Sequence, residues 1–315
     1  VTLDAATAAF VEQARGQMGL GEVSVEQARS DMAALTQLFG PGPELREVRD
    51  ETVPTRSGPL TARVLVPSEA PRGAILYLHG GGWVLGSAAQ WDTLTRTLAD
   101  RTQCLVVVPD YRLAPEYPYP AALDDCWDAL RWTAENLARL GVDGLPLMIA
   151  GDSAGANLAA AVALRARDAG GPDLTVQVLA YPPTDSDFET ASYRDSENQL
   201  ILSRDSMIWF WDQYAPNQRD RVEPGAAPLR AEDLSGLPPA VIAIAQHDVV
   251  RDEIEAYAER LRCSGVEVRS RVFEGQMHGF VTLMNMLPGN AVGIEYLTEE
   301  IDRALAVPAD QGVDQ

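Results

Sequence analysis

A chain of 315 residues that is 46% apolar and 23% charged has the composition of a globular protein with a sizeable core, which excludes a disordered or collagen-like polymer. Its formal net charge of −21 argues against nucleic acid as a general partner, because neutralising phosphates requires clustered cations. Every cation is arginine, and the absence of lysine removes Schiff-base chemistry, the phosphate-loop lysine, kinase chemistry and Ser–Lys catalysis.

The N-terminal stretch Val1 to Phe10 carries Asp4 and no basic residue, so it does not read as a secretory signal, and a cytoplasmic location is expected. Phe10, Ala14 and Met18, four apart, predict a first helix. Ser24-Val25-Glu26-Gln27 fits a capping box for a second, with Val25, Ala28, Met32, Leu35 and Phe39 on one face before Gly40-Pro41 stops it. Beyond residue 45, short apolar runs alternate with longer helical patterns. Strands are predicted at Leu60–Val66, Ala74–Leu78, Leu105–Val108, Leu147–Ala150, Leu174–Ala180, Ala240–Ala245 and Val266–Phe273. Helices are predicted at about 87–101, 120–139, 154–169, 250–264 and 291–306. Runs such as Leu105-Val106-Val107-Val108 between helices point to a mostly parallel sheet covered on both faces, and no run approaches the ~18 residues of a membrane span. The rhythm breaks once, between about Pro182 and Leu229, where Ser203 to Tyr214 reads as a helix with Met207, Phe210, Trp211 and Tyr214 on one stripe. Such a stripe ordinarily packs in a core, though its rings could also face a ligand. The tail Val307–Gln315 reads as frayed.

The residues that could do chemistry are few. Cys104, Cys126 and Cys263 lie far apart with no C-x-x-C pattern, which suggests neither a disulfide framework nor a zinc finger. Gly151-Asp152-Ser153-Ala154-Gly155 matches G-x-S-x-G between a predicted strand and a predicted helix. Alone the pattern is weak, since a chain this rich in Gly and Ser yields roughly 0.09 matches by chance. Its strand–turn–helix setting strengthens it, because a tight turn there thrusts the serine hydroxyl outward and leaves no room for side chains two residues to either side. A second element, His79-Gly80-Gly81-Gly82-Trp83, directly follows the strand Ala74–Leu78. Three glycines in a row let backbone amides point into a cavity, where they can hydrogen-bond an oxyanion. A phosphate-binding turn is disfavoured, as neither G-x-G-x-x-G nor G-K-[ST] is present.

A serine hydroxyl needs a base, and histidine suits because it titrates near neutrality. His79 is committed to the glycine loop, where bracing backbone is its simpler role. His247 and His278 compete; the loop position of His278, past the final strand, lets a ring reach over the serine. The orienting acid should follow the preceding strand, which favours Asp248, with Asp252 and Glu253 as rivals inside the following helix. The order Ser153…Asp248…His278 matches that of α/β hydrolases and differs from the chymotrypsin and subtilisin orders.

From roughly residue 50 to 305 the chain resembles the bacterial hormone-sensitive-lipase-like (family IV) carboxylesterases. The resemblance rests on His79-Gly80-Gly81-Gly82-Trp83, Asp110-Tyr111-Arg112-Leu113-Ala114-Pro115-Glu116, Gly151-Asp152-Ser153-Ala154-Gly155, Asp248…Arg251-Asp252-Glu253 and His278-Gly279-Phe280. It departs once, with Val249-Val250 where Pro-Leu is usual. The resemblance implies an α/β-hydrolase fold with a mostly parallel eight-stranded sheet, its catalytic domain at 46–182 and 229–306. A helical cap is implied from residues 1–45 and the insertion 183–228. It further implies Ser153 as nucleophile, His278 as base, Asp248 as acid, oxyanion amides from Gly81, Gly82 and Ala154, and Trp83, Phe210 and Trp211 toward the substrate pocket.

The expectation is therefore a cofactor-independent, metal-free serine carboxylesterase for short- to medium-chain esters, working through an acyl-enzyme on a small-molecule substrate, with a homodimer suggested by the family. An amidase or aryl-formamide hydrolase would use the same machinery. A non-catalytic receptor resembling the plant gibberellin receptors would require a triad member to be missing, and all three are present.

Overall fold

Buried apolar runs that alternate with helices can satisfy their backbone and hide both faces only by pairing side by side under a helical cover. A computed structural model, which describes residues 2–14 and 22–306, has this arrangement. Eight strands form one sheet: β1 (Glu47–Thr55), β2 (Gly58–Val66), β3 (Ala74–Leu78), β4 (Leu105–Pro109), β5 (Leu147–Asp152), β6 (Gln177–Ala180), β7 (Ala240–His247) and β8 (Val268–Met277). Their order is β1-β2-β4-β3-β5-β6-β7-β8. β2 runs antiparallel to both β1 and β4, and the pairings from β4 to β8 are all parallel. β3, β4 and β5 are buried at every position, as the apolar runs Ala74–Leu78, Leu105–Val108 and Leu147–Ala150 require, and β5 carries Gly151 and Asp152 into the same buried layer.

The α-helices among the described residues are α1 (Ala5–Ala14), α2 (Val25–Gln37), α3 (Asp92–Thr102), α4 (Ala121–Glu135), α5 (Leu137–Leu140), α6 (Ala154–Ala169), α7 (Ala191–Arg194), α8 (Arg204–Tyr214), α9 (Arg251–Cys263) and α10 (Pro288–Ala306). The Ser24 hydroxyl accepts from the Gln27 amide at the start of α2, the N-cap half of the expected capping box, while the Gln27 side chain donates forward to Asp31 Oδ1 at 2.8 Å. Met18 and the tail Val307–Gln315 lie outside the described residues. No described helix is long and apolar enough to cross a membrane.

Four local expectations are corrected. β1 has no apolar run: Glu-Val-Arg-Asp-Glu-Thr-Val-Pro-Thr is an edge strand with mostly exposed or half-exposed positions, held by a hairpin in which Thr55 pairs with Gly58. The helix expected from 87 begins at Asp92, because the Ala88 amide instead donates to Asp110 Oδ1 at 2.6 Å. The helix expected over 120–139 breaks at Asn136 into α4 and α5. β6 is confined to four residues.

The topology locates the crevice. After β3 the chain passes to β4 on one side, then crosses back so that β5 lies on β3's other side. The loops leaving the carboxyl ends of β3 and β5 therefore diverge, and between them opens the cleft where such sheets bind ligands. Leu78 at the end of β3 is paired with Gly151 of β5, so the glycine loop and the serine turn start side by side.

Candidate active site

Ser153 is the single residue between β5 and α6, and it holds φ 51° and ψ −122°, a backbone conformation that residues other than glycine rarely adopt. The turn is this sharp because α6 runs back tightly against the strands. A Cβ on Gly151 would lie 2.5 Å from the Gly155 carbonyl, and one on Gly155 would lie 2.0 Å from Leu78 O. The Ser153 amide donates to Ala180 O at 2.8 Å, fixing the turn to the end of β6.

The loop after β3 is gripped from below. Asp152 is buried, and its Oδ1 accepts from Gly80 N at 3.1 Å, from the Tyr77 hydroxyl at 2.8 Å and from Trp91 Nε1 at 2.8 Å. Burial pushes the Asp152 carboxyl up to about 6 despite these donors, because the charge sits away from water. His79 braces backbone: its Nδ1 lies 2.8 Å from Gly80 O, and the Tyr111 ring stacks on it while donating its hydroxyl to His79 O at 2.7 Å. Burial lowers the His79 imidazole to about 4, so it is neutral at ordinary pH. Gly81 and Gly82 take φ +106° and +60°, and their N–H groups have no acceptor among the described residues. Ala154 opens α6, whose first-turn amides also lack intrahelical acceptors.

From the other side comes the imidazole. His278 directly follows β8; its Nε2 lies 2.8 Å from Ser153 Oγ and its Nδ1 2.7 Å from Asp248 Oδ2. Asp248 follows β7, its side chain is fully buried, and its Oδ1 accepts the Val250 amide at 3.1 Å. The structure thus brings together the hydroxyl, ring and carboxylate singled out in the sequence. His247, the competing histidine, is buried at the end of β7 beside Met277 and makes neither contact. The rival carboxylates face elsewhere: Asp252 accepts the Ser192 amide at 2.8 Å, and Glu253 accepts the Thr184 amide at 2.8 Å.

The expected pocket aromatics divide. Phe210 on α8 lies against the glycine loop, where a Cβ on Gly82 would sit 2.1 Å from its ring. Trp83 and Trp211 are both fully buried, with centroids 5.1 Å apart, and Trp83 stacks on Tyr214 at 4.3 Å. Their rings pack against one another and against Tyr214, joining the end of the glycine loop to α8. Two residues of the site were not singled out in the sequence. Tyr181, at the end of β6, places its ring 4.7 Å from that of His278. Asn157 hydrogen-bonds to the Trp83 indole from α6. The first was signalled by its position at the carboxyl end of a strand, the second as the lone amide in the Ala-rich run Ala154–Leu164.

A serine, imidazole and carboxylate in sequence, set on a sharp turn at the switch point of such a sheet, define the α/β hydrolases as a class. A family model for the alpha/beta hydrolase fold matches residues 75–282. The chain is 44% identical over 221 residues, 69% of each sequence, to the carboxylesterase NlhH of Mycobacterium tuberculosis. It is 38% identical over 278 residues to the carboxylic ester hydrolase LipN of the same organism, covering 86% of this chain and 74% of that one. Among solved structures it resembles a hyperthermophilic esterase from the archaeon Pyrobaculum calidifontis, with TM-score 0.91, 36% identity and coverage of 97% of this chain and 100% of the other. The chain belongs to the α/β-hydrolase family, among its hormone-sensitive-lipase-like members, and is a carboxylic ester hydrolase.

Proposed function

We propose that Ser153 is the nucleophile of this ester hydrolase, His278 its base and Asp248 the acid that orients it. The observation that carries the reading is the unbroken relay from Ser153 Oγ through the ring to Asp248, with both hydrogen bonds under 3 Å. Asp248 fixes the tautomer with the proton on Nδ1, leaving Nε2 free to take the serine proton as Oγ bonds to the ester carbonyl. The carbonyl electron pair moves onto oxygen, where the Gly81, Gly82 and Ala154 amides accept the charge as hydrogen-bond donors. Collapse of the adduct breaks the C–O bond, and the imidazolium gives its proton to the departing alcohol. Water then repeats the sequence, with its proton taken by His278, and releases the acid.

In this reading α1, α2 and residues 183–228 are a cap. The support is that α1's leading Asp4 amide donates to Gly275 O at 3.1 Å, near His278, while Arg29 of α2 donates to Val84 O at 2.9 Å and Ala114 O at 3.0 Å, beside the oxyanion loop. The substrates are short- to medium-chain esters; a Pseudomonas putida relative, 36% identical over 235 residues, is named an ethyl acetate hydrolase. Three unpaired cysteines suit a reducing, cytoplasmic setting, and the net charge of −21 supports a small-molecule partner over nucleic acid. A homodimer is the proposed assembly, with β8 an open sheet edge that exposes Val272; light scattering tests it.

The experiment is Ser153→Ala beside labelling by a fluorophosphonate. The variant should lose at least ~10⁴ in kcat with its circular dichroism unchanged, and label should attach to Ser153 alone. Retained turnover of a butyrate ester overturns the nucleophile assignment. Across acyl chains from acetate to palmitate, activity should peak at about two to six carbons; a maximum on emulsified long chains overturns the chain-length reading.

A further inference from the structure

Asn157 is fully buried on the first turn of α6, four residues after Ser153, among alanines and leucines that give its amide nothing to bond locally. Its hydrogen bonds all leave the helix. Oδ1 faces Trp83 Nε1 at 3.3 Å, and Nδ2 donates to Pro183 O at 2.9 Å and to Ala226 O at 2.8 Å. Pro183 and Ala226 lie at the two ends of the 183–228 insertion, and Trp83 immediately follows Gly82. One side-chain amide therefore ties three separate segments to the helix that begins beside the nucleophile. A buried amide so fully used is costly to disturb, because each freed carbonyl or N–H would be left without water.

We infer that Asn157 is a positioning residue that sets the insertion and the oxyanion loop in register with the nucleophile, so that one side chain governs both turnover and acyl-chain selectivity. This rests on the proposed roles of Ser153, Gly81 and Gly82. The two functions separate by atom. The Oδ1 arm holds Trp83, whose ring stacks on Tyr214 and packs against Trp211 of α8, and so holds the end of the glycine loop. The Nδ2 arm closes the roots of the insertion, and with them the position of Phe210 over Gly82.

Three variants test this. Asn157→Asp keeps an acceptor for Trp83 but turns an oxygen toward two carbonyls, forcing the roots apart. Trp83→Phe removes the indole donor and leaves the Nδ2 arm intact. Asn157→Ala removes both. Each is measured per active site titrated with fluorophosphonate, which counts folded protein with a working nucleophile and separates failure of this inference from failure of the Ser153 assignment. Trp83→Phe should lower kcat about tenfold with the acyl-chain profile unchanged. Asn157→Asp should raise KM for short esters at least fivefold, shift the optimum toward longer chains, and speed hydrogen exchange at 183–190 and 222–228 but not in β3–β5. Asn157→Ala should show both effects. Wild-type kcat, KM and chain profile per titrated site in Asn157→Asp overturn the inference, as does a uniform loss of titratable sites with unaltered kinetics in those remaining. If the Asn157 variants do not fold, a Trp83→Phe enzyme with wild-type kcat overturns it on its own.

Discussion

The ring of Tyr181 lies 4.7 Å from that of His278, centroid to centroid, with the planes tilted by 55°. Tyr181 is itself fully buried and holds φ +40°, and its ring also meets that of Phe280 at 5.8 Å. The imidazole thus has a carboxylate at one nitrogen, a hydroxyl at the other and an aromatic face limiting its swing. Such contacts contribute about 0.5–1.5 kcal/mol, so Tyr181→Leu should lower kcat by roughly two- to tenfold with little change in KM, whereas Tyr181→Phe, which keeps the ring, should stay within about twofold of wild type. A Leu variant with full kcat would show that Asp248 alone holds the ring.

The acid can be distinguished from its neighbours by what each carboxylate touches. Asp248 reaches His278 at 2.7 Å, while Asp252 accepts the Ser192 amide and Glu253 the Thr184 amide. Asp248→Asn should cost on the order of 10⁴ in kcat, because the amide favours the wrong imidazole tautomer. Asp252→Asn should leave kcat within about threefold and instead lower thermal stability slightly, by weakening one hydrogen bond to the insertion. Steady-state kinetics and a melting curve on both variants decide, and the reverse pattern would move the acid to position 252.

How much of this was legible beforehand depended on whether a residue's signal was local. Gly151, Ser153 and Gly155 announce a turn by type and spacing, since only glycine tolerates the contacts made there, and the turn was placed correctly between β5 and α6. The apolar cores of β3, β4, β5 and β7 were equally plain. β1 was missed because an edge strand has one neighbour and a wet surface, so its side chains need not alternate or be apolar. Trp211 lies on an aromatic stripe that reads the same whether it faces a ligand or a neighbouring ring, and Trp83 follows a glycine run that gives its ring no local direction. The contacts of both rings with Tyr214 are tertiary and leave no trace in either local pattern. Asn157 and Tyr181 act through partners 26 to 97 positions away in the chain. No local pattern encodes such pairings.

The buried pair beneath the glycine loop should leave opposing marks on stability. Asp152 has its carboxyl raised to about 6 by burial, above the unfolded value near 3.8. Its contribution is therefore fully present below about pH 4 and is lost as pH rises through 6. His79 is lowered by burial to about 4 from 6.5, so its contribution is present above pH 6.5 and is lost as pH falls through 4. Over the window from pH 4 to 6.5 the two slopes oppose each other. Asp152→Asn should expose the histidine's slope, so that stability in urea rises with pH across that window more steeply than in wild type. An unchanged pH profile in Asp152→Asn would mean that the carboxyl is not raised.

Phe210 of α8 packs directly against Gly82 of the glycine loop. A methyl at Gly82 would sit 2.1 Å from the Phe210 ring, and the position's φ of +60° is itself unfavourable to any side chain. Gly82→Ala must therefore push the loop and α8 apart or turn the amide away from the developing oxyanion. Loss of one such donor is worth about 3 kcal/mol, so kcat should fall by at least ~10². Phe210→Ala clears the space but leaves the backbone strain, so the double variant should recover only part of the loss. If Gly82→Ala and the double variant are equally slow, the clash contributes nothing and the left-handed backbone alone sets the amide's aim. If the double variant regains wild-type kcat, the strain is negligible and the fit against Phe210 is what holds the loop.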